Sequence, residues 1–543
     1  MKCNIVNIIH FIRWREPRHP GRDLHEPLVE QLKLANRYRF KATFLLQYDA
    51  LVDPLFTGVL KEQNPELIEV GAWFEIVQQL VEEAGIIWRG RDGFSWDYHS
   101  HVGFLIGYAP NERERLLDLY MDRFKAEFGH YPSSVGSWFI DSHSLEYLKS
   151  KYRVRAACIC RDQWGTDGYN LWGGYFNGGY YPSKLNMFAP AQTKEMQIDL
   201  PVFRMLGSDP IYQYDLGLSA ENGYNPVLAQ GVSTMEPIYP ESGGNPHWVE
   251  WFMKENFNEL ALPFGYAQFG QENAFGWSKM EKGLNMQWEI LDRRVKSGEV
   301  TLQHLSETGD MFRAAYDLTP VTSVAATRDW AGEGHQSAWY SSRFYRANLF
   351  VERGQLWIRD IHMFAEHYTE RYRNDICGQK QSYYDNLPVV DGYRWSGNGV
   401  RAGLYLLVKD GKRHYRPAEG QTITFDRQES ELLAEIQMEA GTITVCCLEQ
   451  QIEIHGNSGM EWALALRWGS DSIPVTTIEA TEISYVYNGF AYKLCAENGA
   501  FEGLPGQELR IVPEANRTIV LSFKRNLGYA DERNDNYDQT NFA

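Results

Sequence analysis

From Asn4 to His304 this chain alternates apolar runs of strand length with amphipathic runs of helix length, and near Thr319-Pro320-Val321 the alternation stops. The spacing predicts strands at Asn4 to Phe11, Ala42 to Tyr48, Ile68 to Phe74, Val135 to Ile140 and Ala156 to Arg161. Further strands are expected at Val202 to Leu206, Val232 to Met235, Phe264 to Phe269 and Val300 to His304. Helical spacing falls between them at Leu24 to Arg39, Glu112 to Phe128, Ser144 to Lys151, Trp248 to Glu259 and Lys279 to Lys296. Repeated strand-helix units imply parallel strands with helices outside, and this number of units is barrel-sized. The expectation is an α/β domain over residues 1–318, a (β/α)7-type barrel.

The second half obeys a different rule. Short alternating strands are separated by hairpin signals at Arg353-Gly354, Lys409-Asp410-Gly411-Lys412, Glu439-Ala440-Gly441 and Tyr487-Asn488-Gly489-Phe490. Asn-Gly and Asp-Gly supply the positive φ values that tight hairpin turns need. Residues 319–525 therefore read as an all-β sandwich, and 526–543 as a polar tail with too few aliphatic residues to build a core. Two domains also suit the length, because 543 residues exceed what one hydrophobic core fills.

Charge narrows the partners. A net charge of −18 with no Lys/Arg stripe is the wrong surface for nucleic acid. No run of ~20 apolar residues suits a bilayer, and the start, Met1-Lys2-Cys3-Asn4-Ile5-Val6, enters a strand without a signal-peptide pattern. The expected location is cytoplasmic, which seven cysteines, an odd number and partly in strands, also suit. Cys158 and Cys160 share a strand face but lack spaced partners for a metal. Self-association into a homo-oligomer is compatible with all of this.

Six carboxylates stand just past apolar runs in the first half: Glu75, Asp141, Asp162, Asp209, Glu236 and Glu272. In a β/α barrel the C-terminal ends of all strands open onto one mouth, so these acids converge there although the sequence scatters them. Asp141 precedes a helix beginning at Ser144, where the helix dipole keeps an acid charged; the same position suits a helix cap. Glu272 lies among Phe269, Gly270, Phe275, Gly276 and Trp277, and rings beside a carboxyl raise its pKa as a general acid requires; a solvated loop glutamate is the alternative. Two long insertions, Trp88 to Tyr108 and Gly165 to Met196, follow strand ends and are expected over the mouth as walls.

The chain has 17 Trp, 32 Tyr and 27 Phe, and those near the mouth offer flat faces to sugar rings. Trp73, Trp96, Trp138, Trp164 and Trp277 are the candidates for stacking. Polar contacts are expected from His10, Asp97, His99, His101 and His143, and from Asp162 and Asp209. Asp97, His99 and His101 also have metal-ligand spacing but lack a fourth donor, so the site is read without a metal or other cofactor.

The segment Val135-Gly-Ser-Trp-Phe-Ile-Asp141 and the segment Gln268-Phe-Gly-Gln-Glu272-Asn-Ala-Phe-Gly-Trp277 together resemble the glycoside hydrolase/deacetylase superfamily, closest in layout to glycoside hydrolase family 57. The resemblance implies a seven-stranded β/α barrel and a nucleophile at Asp141, an Asp where that family has Glu. The family's usual catalytic Asp falls near Gly270, and Val300 through Glu307 is similar to its last strand and helix start. Asn7-Ile-Ile-His10-Phe-Ile-Arg13 lacks the His-x-His of family 57, the His-x-Asp of family 38 and the paired Asp of polysaccharide deacetylases. Glu69 to Ile76 lacks the deacetylase histidines as well.

The expected activity is glycoside hydrolysis by a carboxyl pair, Asp141 as nucleophile or base and Glu272 as acid, with Glu75 and Glu236 in reserve. A metal-dependent sugar deacetylase and a non-catalytic glycan-binding protein are the alternatives. In each case the partner is a carbohydrate.

Overall fold

The structure, a computed structural model, describes residues 3–159, 174–204, 207–215, 218–219, 223–224, 233–382, 385–409, 414–457, 459–487, 489–503, 508–514 and 517–524. Its first half is built on strands β1 (Cys3–Ile12), β2 (Ala42–Leu46), β3 (Ile68–Trp73), β4 (Ser134–Ser137), β5 (Ala156–Ile159), β6 (Val202–Arg204), β7 (Phe264–Phe269) and β8 (Thr301–Gln303). These run parallel in the order β7-β1-β2-β3-β4-β5-β6, with β8 also on β1. β1 straddles two neighbours: residues 3–8 pair with β7, and 9–12 with β2. A strand covered on both faces needs an apolar run, which Ile5-Val6-Asn7-Ile8-Ile9 and Phe11-Ile12 supply, all of them buried.

The sheet curls into a nearly closed barrel. Among the described residues no ladder joins β6 to β7. Asn177 Nδ2 and Asn256 Nδ2 instead donate to the Tyr266 carbonyl at 3.1 and 2.9 Å, and the rings of Phe203 and Tyr266 meet across the gap at 5.2 Å. Amide side chains thus satisfy the carbonyl that a neighbouring strand would otherwise take. The expected strand at Val232 to Met235 reduces, in its described part, to one bridge between Ser208 and Thr234, so the strand count differs from the sequence reading. Long helices at His25–Tyr38, Pro110–Phe128, Ser142–Tyr152, Pro246–Asn256, Trp277–Lys296 and Leu305–Ala315 accompany the barrel.

After Ala315 the named elements are all strands. A ten-stranded antiparallel sheet begins at Thr322–Ala326, and an eight-stranded one at Thr422–Gln428. The buried apolar residues form two clusters, one centred on the barrel and one between these sheets. The residue range 366–382 leaves the sheets and lies along the barrel end. Glu370 N donates to Leu185 O, Cys377 N to Ile106 O and Ser100 N to Lys380 O, each at 2.8 Å. No helix of the described residues is long and apolar enough to cross a membrane. The expected tail at 526–543 lies outside the described residues.

Candidate functional site

β1 ends by carrying Arg13 into the barrel mouth, where its side chain is 1% exposed. A cation with so little water needs anions, and the mouth supplies them from three separate elements. Glu75, two residues past β3, accepts from Arg13 Nε at 2.7 Å and Nη2 at 2.5 Å, a bidentate fork. Glu272, past β7, has Oε2 at 2.9 Å from Nη1, and Glu16 has Oε2 at 3.5 Å from the same nitrogen. Trp138 Nε1 and Gln47 Nε2 also donate to Glu75, the latter at 3.2 Å. Four donors therefore face Glu75, the pattern of a carboxylate rather than an acid.

Glu272 differs in every respect. Among the described residues Oε2 has the ion contact with Arg13 but no well-directed hydrogen bond. Burial and the nearby Glu75 charge outweigh the attraction of Arg13 and push its carboxyl up to about 8. Its position depends on Gly270, where φ is +116° and an added Cβ would collide with the Ile9 carbonyl of β1. The turn reaching Glu272 thus runs hard against β1, leaving no room for a side chain at position 270. Below lies an aromatic floor: Phe11 stacks on Trp73 at 4.0 Å, and Trp138 meets Phe11 edge-on at 5.5 Å. Trp96 covers the other side, its ring 4.2 Å from the Arg13 guanidinium.

Asp49 completes this centre and was not foreseen. It follows β2, its Oδ1 accepts from Ala50 N at 2.8 Å, and burial pushes it up to about 7. Arg13 and Glu16 were missed too. The only sequence signal was an arginine ending an apolar strand in an acidic chain, which by itself names no motif.

Asp141 stands at a second arginine. Its Oδ1 is 3.0 Å from Arg113 Nη1 and 3.0 Å from Ser144 N, and Oδ2 accepts from Ser144 Oγ at 2.8 Å. It caps the helix Ser142–Tyr152, the cap alternative left open by the sequence. Its other carboxyl neighbour comes from the second half of the chain: Glu370 accepts from Ser142 N at 2.5 Å and Met187 N at 2.9 Å. Burial and the Asp141 charge push Glu370 up to about 7. A small pocket lined by Ile106, Asp141, Met187, Phe188, Glu370, Arg371 and Asp385 opens at this seam. Asp141 and Glu272, expected as one pair, thus belong to two different arginine centres.

The remaining candidates separate by what they touch. Glu236 accepts from Gln271 Nε2 at 3.1 Å, beside the Glu272 turn. Asp209 is buried and takes four donors, Ile211 N, Tyr212 N and the indoles of Trp248 and Trp330, which makes it an anchor between the barrel and residue 330. His10, on β1, is fully buried with Nδ1 against the Gln271 carbonyl, to which Gln31 Nε2 also donates, and burial lowers its pKa to about 4. Trp277 begins the helix Trp277–Lys296 and packs on the core, while His143 Nε2 lies 3.1 Å from Glu114. Asp162 and Trp164 lie outside the described residues.

The loop after β3 does not make a metal site. Both Asp97 oxygens are taken by Arg91, with Nε at 3.0 Å and Nη2 at 2.9 Å, and His99 Nδ1 is 3.0 Å from Oδ1. His101 stacks near His99 with ring centres 5.8 Å apart rather than converging on one point. Among the described residues no three His, Cys, Asp or Glu side chains are gathered to hold a metal ion. A guanidinium already occupies the cationic position at both acid clusters, so these residues do not fit a deacetylase metal.

No family model matches the chain, and no curated protein aligns with it. Among solved structures it is similar to a protein named only provisionally as a glycoside hydrolase/deacetylase, from Parabacteroides distasonis. That match has a TM-score of 0.50 and 14% identity over 70% of this chain and 89% of the other. Weaker likenesses are to 4-α-glucanotransferase from Thermococcus litoralis (TM-score 0.31, 8% identity, 96% and 99% covered) and the α-amylase AmyC from Thermotoga maritima (0.29, 9%, 57% and 75%). At such identities the likeness is one of fold: it supports the expected barrel architecture without singling out family 57.

Proposed function

We propose that the chain is a carbohydrate-active hydrolase, a glycoside hydrolase, with its acid/base pair at Arg13. Glycosidic cleavage needs one carboxyl that is protonated at working pH and one that is charged. Glu272 and Glu75 are such a pair, and the observation that carries the reading is their sharing of one buried guanidinium. Arg13 satisfies Glu75 through two bonds and reaches Glu272 through one poorly directed contact, which does not offset the burial and the Glu75 charge that keep Glu272 protonated. Glu272 then protonates the leaving oxygen, Glu75 supports the positive charge that develops on the sugar ring, and the attacking water gives its proton back to Glu272. The aromatic floor below and Trp96 beside them exclude water from the carboxyls.

Asp141 takes a supporting role here, holding Arg113 and the helix start beside the mouth. The barrel likeness favours a carbohydrate over other substrates, and the engagement of Asp97 by Arg91 disfavours the deacetylase reading. The test is a panel of aryl glycosides assayed with the parent, Glu272→Gln and Glu75→Gln. Release of aryl alcohol by the parent that falls at least ~10²-fold in each variant supports the pair. Turnover unchanged in Glu272→Gln removes it.

A further inference from the structure

The segment that follows β1 at this mouth is rich in arginine although the chain is acidic. The chain carries −18 overall, yet residues 13–22, Arg-Trp-Arg-Glu-Pro-Arg-His-Pro-Gly-Arg, hold four arginines against the single Glu16. The carboxyls lie beneath: Glu75 and Glu272 have side chains 0% and 6% exposed. The arginines lie outside, with Arg15 exposed and Arg18 30% exposed.

Each rim arginine is placed on the site by a contact. Arg18 reaches Glu16 Oε1 at 2.8 Å, the same residue that approaches Arg13, and its guanidinium sits 5.4 Å from the Trp96 ring and 5.2 Å from Tyr98. Arg91, 39% exposed, stands 4.7 Å over the same Tyr98 ring and is neutralised by Asp97. Arg22 Nη1 donates to Ala274 O in the turn that carries Glu272. Arg15 stacks 3.7 Å over Trp14, whose backbone N–H points toward Asp49. Arginines interleaved with rings make a platform on which a sugar face can stack while its substituent meets a guanidinium fork.

We infer that the sugar recognised here is anionic, carrying a carboxylate or a sulfate that the β1 rim receives, with Arg15 as its uncommitted cation. This rests on the Arg13 centre being the sugar site. A neutral glycan would gain only hydrogen bonds to its hydroxyls from exposed guanidinium groups, whereas an acidic one would add charge pairing with them. Carboxylate and sulfate each present at least two negatively charged oxygens that a guanidinium fork can grip, one from a planar group and the other from a tetrahedral one, so both belong to the inferred class.

Calorimetry of the full chain with three tetrasaccharides tests it: one of uronic acid units, its carboxyl-reduced neutral counterpart, and that neutral form bearing O-sulfates. At least one anionic probe is expected to bind about tenfold or more tighter than the neutral one at about 0.05 M salt, where surface charges are poorly screened. The advantage should shrink at about 1 M salt, and Arg15→Gln should weaken the anionic probe about threefold or more while leaving the neutral one alone. Which anionic probe wins decides between carboxylate and sulfate. Equal binding of all three, or an anionic preference untouched by Arg15→Gln, overturns the inference. Anionic binding through Arg15 with turnover that survives Glu272→Gln leaves the inference and defeats the catalytic reading; loss of turnover in Glu272→Gln without anionic preference does the reverse.

Discussion

Arg13 and Arg113 are both buried arginines paired with a carboxylate and standing near a second carboxyl whose pKa is raised toward neutral pH, and they differ in where those carboxyls come from. All three acids around Arg13 follow barrel strands β1, β3 and β7. At Arg113 one acid, Asp141, follows a barrel strand, and the other, Glu370, arrives from the β-rich half and is tied by two backbone amides. Arg113 also donates to the carbonyls of Arg373 at 3.1 Å and Asp375 at 2.9 Å. A carboxyl whose lone pairs are filled by backbone donors holds chain segments together. Glu272, with no well-directed donor among the described residues, has capacity left for a substrate. The proposed function accordingly places chemistry at the first centre and docking at the second.

The largest expected effect separates the two in activity. Glu272→Gln should lower glycoside turnover by about 10²–10⁴-fold. Asp141→Asn, measured in the same assay, should stay within about tenfold of the parent if it acts only through the helix start it caps. Comparable losses in both would erase the distinction.

Stability should separate them next. Arg13→Met leaves Glu75 buried without its cation and is expected to cost about 3–5 kcal/mol in urea unfolding. The double change Arg13→Met with Glu75→Gln should recover part of that loss, because the stranded charge is then gone.

The pH dependence sharpens the comparison further. Glu272 and Glu370 have folded-state pKa values of about 8 and about 7, above the ordinary 4.5. A carboxyl raised on folding binds more protons when folded, so its contribution is full below about pH 4.5 and is lost as pH rises through the folded value. Thermal unfolding of the parent should thus weaken from pH 5 to pH 8. Glu370→Gln should flatten the decline between about pH 4.5 and pH 7, and Glu272→Gln the decline that continues up to about pH 8. The smallest effect is the cap: Asp141→Ser, which keeps an N-cap oxygen and loses the Arg113 partner, should differ from Asp141→Ala by about 1 kcal/mol.

Much of the scaffold was legible in the sequence because it depends on local patterning. The apolar run at Phe264 to Phe269 is a strand with those same bounds, and the helical spacing at Leu24 to Arg39 became His25–Tyr38. The run at Val135 to Ile140 was read too long, since the ladder ends at Ser137 and Trp138 then directs its indole to Glu75. Strand-end acids were also legible, and three of them, Glu75, Glu236 and Glu272, do lie at or beside the Arg13 centre.

Their partners were not legible. Arg13 meets Glu75 across 62 positions, and Glu370 meets Ser142 across 228. No local period encodes such pairings, which are fixed by barrel closure and by the return of the chain from the β-rich half. A carboxyl's role depends on how many donors converge on it, and that count is a tertiary property: Asp141 and Glu272 look alike in sequence and differ in the fold.

The central claim is that burial keeps Glu272 protonated at neutral pH although it lies beside Arg13. Infrared titration of the folded protein, taken as the difference between parent and Glu272→Gln, reads that carboxyl directly. The account predicts a protonated C=O band at pH 7 that disappears with a midpoint near 8. A carboxylate band already complete at pH 6, with a midpoint near the ordinary 4.5, would contradict it.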